Sequence, residues 1–359
     1  SVLPMAKLPF AAAALAAVLV PCRGFVHGGS GCRRLDLVGA VSRRSLLQTT
    51  GGGLLPGPLR RVGLDASQRE TPDLLIDSHV HVWSNGEGAF PYAEGQEPDE
   101  DIRELGLVET LLQKMDDSCV SSALIVQPIN HKFDHSYLLK VIKDHPTRFK
   151  GMCLLDPNQS QPQACSFLSK MATSGIVGVR FNPYLWPEGE KINNEVGAAA
   201  FEKAGDLGMA VGIMCFKGFG LHAAEIEDLV ARFPNTKCII DHMGFYRQNG
   251  VVAEEDFERL LELERFPNVY IKASAFFRNS QYDWSGEVGY PDVGRRLKRI
   301  IDTFGGSRVM LGSDYPFVHL HGGYSGNLML AYHWKLDISS ETFQMLIRGT
   351  AESVFGEWK

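Results

Sequence analysis

From Asp73 onward the chain alternates short apolar runs with amphipathic stretches, eight times over. The runs are rich in Val, Ile and Leu, as strands of a parallel sheet buried on both faces must be. Expected strands, each with the helix that follows, are 74–82 with 104–117, 121–128 with 135–145, 149–155 with 162–174, and 176–182 with 195–207. The second half repeats the scheme with 209–215 and 221–233, 236–241 and 255–265, 268–275 and 292–304, and 308–313 and 340–355. Eight such units predict an α/β chain folded as a single-domain (β/α)8 TIM barrel, with its chemistry at the C-terminal strand ends. A doubly wound open sheet is the alternative, but no G-x-G-x-x-G opens a helix and eight regular units favour closure. The long connections 84–103 and 276–291 then lie at the active face, where such loops act as lids or clamps.

Residues 1–70 have another texture and are read as a targeting leader, leaving 71–359 for the barrel. Lys7 precedes an apolar run, Leu8 to Val20, too short to span a membrane and flanked like a signal-peptide core. Gly24-Phe25 and an Arg-, Ser- and Gly-bearing stretch poor in acids follow. The arrangement resembles the bipartite plastid (chloroplast) leaders of algae with complex plastids, a signal segment followed by a transit peptide. Ser42-Arg43-Arg44-Ser45-Leu46-Leu47 resembles a twin-arginine signal for the thylakoid lumen, or is one more Arg pair in a transit peptide. The expectation is a disordered leader and a plastid address, stroma or lumen, with no membrane span in the mature form. A start at Ser1 in place of Met fits processing or an incomplete reading frame.

Charge separates the two parts. The leader carries nine Lys+Arg against three Asp+Glu, and the body 27 against 39, which argues against nucleic-acid binding. Five of the seven cysteines (Cys119, Cys153, Cys165, Cys215, Cys238) lie in the body without any C-x-x-C, and read as reduced thiols.

Polar residues gather at the strand ends. The first strand ends Asp77-Ser78-His79-Val80-His81, and alternate residues of a strand share a face. Two imidazoles there make half of a metal site, a polar catalytic floor, or a hydrogen-bonded pair without chemistry. Later strands contribute Gln127 to His131, Asp156-Pro157-Asn158, Arg180-Phe181-Asn182, Met214 to Lys217, Asp241-His242-Met243-Gly244, Lys272 with Ser274, and Gly312-Ser313-Asp314-Tyr315-Pro316.

H-x-H after strand one, Arg-Phe-Asn after four, Asp-His-x-Gly after six and Gly-Ser-Asp-Tyr-Pro after eight resemble the amidohydrolase-related branch of the metal-dependent hydrolase superfamily. Within it the sequence is most similar to sugar lactonases, 2-pyrone-4,6-dicarboxylate lactonases and plastid relatives. The resemblance implies a hydrolase in which Asp314 is general base and His79, His81 and His242 polarise a carbonyl or hold a metal. Attack of water on a lactone needs both a base and positive character for the oxyanion. Metal-dependent relatives usually carry a His at the end of strand five, where this chain has Cys215. Arg180 also stands where a bridging Lys would be, which argues against a binuclear site. At most one divalent ion, zinc or manganese on His79, His81 and Asp314, is expected, and metal-independent activity is the other reading.

Arg180 either orients a substrate carboxylate or pairs with Asp77 or Asp241. Lys217 and Arg278, on loops at the active face, suit a small anionic substrate or are solvated charges. Lys272, inside strand seven, must be paired and is equally a substrate contact or an internal ion pair. Trp83, Tyr184, Trp186 and Tyr315 wall a pocket or simply pack. Asn130 and His131 are weaker site members, and His145, His222 and His333 read as surface or packing residues. The expected function is hydrolysis of a small carboxylated or sugar-like lactone, or of a related C–O or C–N bond. The rivals are a metal-dependent decarboxylase on the same barrel and a binding barrel without turnover. A homo-oligomer packed through outer helices is left open.

Overall fold

The computed structural model describes residues 75–285 and 289–358, so the leader and its address signals lie outside the described residues. Eight parallel strands follow in sequence order around one sheet: β1 (Leu75–Val80), β2 (Val120–Val126), β3 (Phe149–Leu154), β4 (Ile176–Phe181), β5 (Ala210–Ile213), β6 (Cys238–Ile240), β7 (Val269–Ala273) and β8 (Val309–Leu311). Every expected strand is present, with its helix behind it, in a nearly closed (β/α)8 barrel.

Alternation along each strand builds two cores. In β2, Ala123 and Ile125 face the outer helices while Leu124 and Val126 face the barrel axis. Met152 fills the middle of the axis because Gly178 and Gly212 offer no Cβ; one added at Gly178 would stand 2.7 Å from the Met152 Cε. The helices bury one stripe each. Pro291–Phe304 buries Val293, Leu297, Ile300, Ile301 and Phe304, at helical spacing. Each such side chain contributes roughly 1.5–3 kcal/mol by leaving water.

The two ends of the barrel are closed differently. At the N-terminal end, Ala351, Val354 and Phe355 of the last helix pack under Ile76, Leu124, Met152 and Met310. That helix runs Ser340–Gln344, loosens into a π turn at Met345–Gly349, and ends at Phe355. Its final carbonyls have no helical partner. The Lys150 ammonium donates to Phe355 O (2.7 Å) and Gly356 O (2.9 Å), and the Lys237 ammonium to Ser353 O (2.9 Å) and Val354 O (3.2 Å).

At the C-terminal end, β1 meets the turn after β8. His81 N donates to Tyr315 O (2.7 Å) and Asp314 N to His79 O (3.0 Å). The Asp77 carboxylate completes this seam by accepting from Ser313 N (2.9 Å), Ser313 Oγ (2.6 Å) and His79 N (3.1 Å).

Elements not foreseen decorate this face: the helices Glu100–Arg103, Phe276–Asn279 and Tyr324–His333, and a hairpin of Arg247–Gln248 with Val251–Val252. Cys153, Cys165, Cys215 and Cys238 are free thiols. Cys119 is disulfide-bonded, against the expectation of reduced thiols throughout.

Candidate active site

Beneath the site lies a layer of buried charge. Asp241, at the end of β6, faces Arg180 of β4 (Nε to Oδ2, 3.1 Å) and Lys272 of β7 (Nζ to Oδ1, 3.5 Å), and none of the three reaches solvent appreciably. Burial alone would raise the Asp241 carboxyl, but Lys272, His79 and Arg180 outweigh it and hold it well below the usual carboxylate range. Arg180 is thus engaged with Asp241 rather than with Asp77, and Lys272 is internal to the barrel.

Above that layer stand three histidines and one carboxylate. His79 and His81 approach through their Nε2 atoms at 3.3 Å. His81 Nε2 lies 3.5 Å from Asp314 Oδ1, and His242 Nε2 lies 3.8 Å from the same oxygen. The far nitrogens are tethered: His81 Nδ1 donates to Val126 O (2.8 Å), and His242 Nδ1 is bonded to Ser274 Oγ (2.8 Å). Burial lowers the pKa of His79 well below the ordinary imidazole range, aided by the Lys272 charge, and lowers His242 to about 4. Burial would raise Asp314, but the neighbouring His242 and the Arg278 charge overcome it and hold its carboxyl well below the usual carboxylate range.

Strain marks the same places. His242 (φ 54°), Met243 (φ 52°), Gly244 (φ 73°) and Phe245 (φ 50°) form a left-handed turn after β6, and Asp314 (φ 70°) and Ala275 (φ 49°) are left-handed too. Each non-glycine residue there costs about 1–2 kcal/mol. Asn279 Nδ2 donates to His242 O (2.9 Å), which helps to hold the turn.

The mouth is aromatic. Arg278 lies over Phe277 (4.9 Å), Phe317 (5.5 Å) and Phe216 (5.6 Å), with its Nε 3.5 Å from Asp314 Oδ2. Among the described residues its two terminal nitrogens have no hydrogen-bond partner. Phe216 remains well exposed beside it.

The other expected site residues fall elsewhere. Trp83 is fully buried and donates from Nε1 to Arg103 O (2.8 Å), so it braces the first long loop. Asn130 and His131 brace that loop as well, through Gln96 O (2.7 Å) and Pro91 O (3.0 Å). Tyr184 accepts from Lys217 N (2.7 Å) and contacts His222 Nε2 (3.3 Å), which in turn faces Glu225 (3.4 Å). The Lys217 ammonium lies over the Tyr184 ring. Tyr315 and Trp186 are buried. Cys215 sits in the apolar core with its thiol pushed well up by burial, and takes no part in the cluster.

Sequence reasoning named Asp241 only as one possible partner of Arg180, missed its pairing with Lys272, and gave the three phenylalanines no role. A carboxylate next to the strand-six His was the available signal for Asp241. Two surface hollows, of about 460 and 320 Å³, lie beside Pro157 and Pro187 and beside Arg295 and Arg296, away from this chemistry.

One divalent ion fits the cluster. His79, His242 and Asp314 each offer an atom within 4.8 Å of the others. The 3.3–3.8 Å spacings among the four side chains lie close to the edge of about 3.3–3.4 Å set by metal bonds of 2.0–2.1 Å.

A family model described as Amidohydrolase matches residues 76–356. The chain is 26% identical over 257 residues to 4-sulfomuconolactone hydrolase of Hydrogenophaga intermedia, covering 69% of this chain and 75% of that protein. A crystal structure of a probable 2-pyrone-4,6-dicarboxylic acid hydrolase from Acinetobacter baumannii, with citric acid bound, superposes with a TM-score of 0.62 at 19% identity. It covers 79% of this chain and 99% of that one. An amidohydrolase from Burkholderia multivorans with bound zinc gives 0.64, also at 19% identity, over 79% and 99% of the two chains.

Proposed function

The chain belongs to the amidohydrolase family and is a hydrolase, and on that premise we propose that it opens a small anionic lactone, carboxylated or sugar-like, or cleaves a related C–O or C–N bond. The observation that carries this reading is the convergence of Asp314 with His81, His242 and Arg278 at the barrel seam. Asp314 takes a proton from water as the oxygen attacks the carbonyl carbon. His242, tethered through Nδ1 by Ser274, turns Nε2 toward the carbonyl oxygen and stabilises the oxyanion as the ring bond breaks. The leaving oxygen recovers the proton from Asp314.

Arg278 gives an anionic substrate a cationic anchor. Its free terminal nitrogens suit a bidentate carboxylate or sulfonate, and the phenylalanines around it suit a flat ring. A substrate anion at Arg278 also weakens the hold of that cation on Asp314, which strengthens the base when substrate is bound. 4-Sulfomuconolactone and pyrone dicarboxylates, in the names of the similar proteins, are anionic lactones of this kind. Tyr184 and Lys217 lie further along the face and would bound the ring. Zinc or manganese, when bound, would be held by His79, His81, His242 and Asp314 and would supply Lewis acidity there.

The test is turnover of the full chain on sugar lactones and pyrone dicarboxylates, with and without chelator, beside Asp314→Asn. Ring opening lost in Asp314→Asn supports the reading. A folded protein inert on every lactone refutes it: CO2 release from aromatic carboxylates would then identify the decarboxylase, and ligand binding without turnover the binding barrel. Plastid delivery is part of the same proposal. It rests on the leader, and imaging of a fluorescent fusion in a plastid-bearing cell tests it.

A further inference from the structure

A single chain of hydrogen bonds crosses the floor of the site. The Lys272 ammonium lies 3.3 Å from His79 Nδ1, His79 Nε2 lies 3.3 Å from His81 Nε2, and His81 Nδ1 lies 2.8 Å from Val126 O. The far end fixes its direction. A backbone carbonyl only accepts, so His81 carries a proton on Nδ1, and the neutral ring presents a bare Nε2. The contact between the two imidazoles then needs the proton on His79 Nε2. That leaves His79 Nδ1 bare, facing the one strong donor beside it, Lys272. Read from Lys272 to Val126, every donor meets an acceptor.

The alternative arrangement leaves two groups opposed. A proton on His79 Nδ1 would face the Lys272 ammonium, donor against donor, and the bare Nε2 atoms of His79 and His81 would face each other at 3.3 Å. An acceptor for that other arrangement does exist. Asp241 Oδ1 is 3.5 Å from His79 Nδ1, and it is buried without a hydrogen bond of its own. The two tautomers of His79 are therefore set against each other by the residues under it, with Lys272 favouring one and Asp241 the other.

We propose that Lys272 is a positioning residue: by donating to His79 Nδ1 it keeps the His79 proton on Nε2, so that the histidine pair is held as a hydrogen-bonded donor and acceptor and disfavours a divalent metal ion. A ligand histidine must offer a lone pair, and its other nitrogen normally donates to a carboxylate or carbonyl. His81 meets that requirement and His79 does not while Lys272 holds it. Removing the ammonium lets His79 Nδ1–H turn to Asp241 and exposes the Nε2 lone pair to the ion. Outer partners of ligand histidines change metal affinity by about 10–100-fold, and here the loss of one should increase it.

Two measurements on the full chain test this, and neither needs turnover, so they stand apart from the lactone reading. The first is 15N NMR of histidine-labelled wild-type protein, with His79 assigned by His79→Gln. The expected pattern has the His79 proton on Nε2, and a proton on Nδ1 overturns the proposal. The second is Zn2+ affinity of wild type against Lys272→Met, by competition with a fluorescent chelator. Binding at least tenfold tighter in folded Lys272→Met is expected, and unchanged or weaker binding overturns the proposal. If Lys272→Met does not fold, Lys272→Gln replaces it, since its amide oxygen accepts from Nδ1–H. If neither folds, the wild-type spectrum decides. A merely structural lysine would move stability and neither readout.

Discussion

Arg180→Gln separates two roles for the strand-four arginine. Its Nε lies 3.1 Å from Asp241 Oδ2, with both side chains almost wholly out of solvent. Removing one partner of a buried pair costs about 3–5 kcal/mol, because the other charge is left behind. Lys272 still faces Asp241 Oδ1, so the loss should fall at the lower end, about 3 kcal/mol. Against a net stability of roughly 5–15 kcal/mol, that is a large displacement of a urea transition followed by tryptophan fluorescence. Asp241→Asn should cost more, since two buried cations lose their counter-charge, and the double variant less than the sum of the two. In surviving folded protein KM should change little. A stability loss under about 1 kcal/mol together with a tenfold rise in KM would refute this account and return Arg180 to the substrate.

Other perturbations give separate readouts. Asp314→Asn should lower kcat by about 10²–10⁴-fold, with circular dichroism unchanged. Arg278→Met should raise KM for anionic lactones and leave neutral ones nearly unaffected, as steady-state kinetics on matched substrates would show. His135, whose Nε2 accepts from Leu154 N, and His242 are both lowered to about 4 by burial. The unfolded chain therefore binds these protons first as pH falls from 6.5, and stability present above 6.5 should drain away by pH 4, about 3 kcal/mol for each histidine. Urea midpoints measured across that range check the slope. Gly106→Ala places a Cβ 2.0 Å from Trp83 Cε2, and should cost about 3 kcal/mol in the same assay through forced repacking of a buried indole.

The barrel was legible in the sequence because its signal is local. Buried parallel strands must be apolar runs, and polar residues at eight run ends could only converge if the sheet closed. His79, His81, His242 and Asp314 could be placed at strand ends for that reason, while the roles read for them came from the family resemblance. The charge layer was legible only in part: Asp241 was one of the partners read for Arg180 and Lys272 was read as paired, but no spacing along the chain encodes that both cations meet the one carboxylate across the barrel axis. The left-handed turn at 242–245 was hidden too: Met243 and Phe245 have no propensity for it, and surrounding bonds such as Asn279 to His242 O impose it. Trp83 misled because an aromatic beside an H-x-H reads as a pocket wall, whereas the glycine at 106 opens a slot that buries it.

The floor of this barrel is supplied by its last helix, pinned by Lys150 and Lys237. A ribosome makes that piece after all eight strands, and the seam likewise joins the first strand to the turn after the eighth. A growing chain therefore has neither a closed wall nor a plugged base until that helix has emerged, and apolar axis residues such as Ile76 and Leu124 stay uncovered meanwhile. Barrel closure is then one late step of folding, and truncation ahead of Ala351 should be tolerated far worse than an insertion in the outer loops.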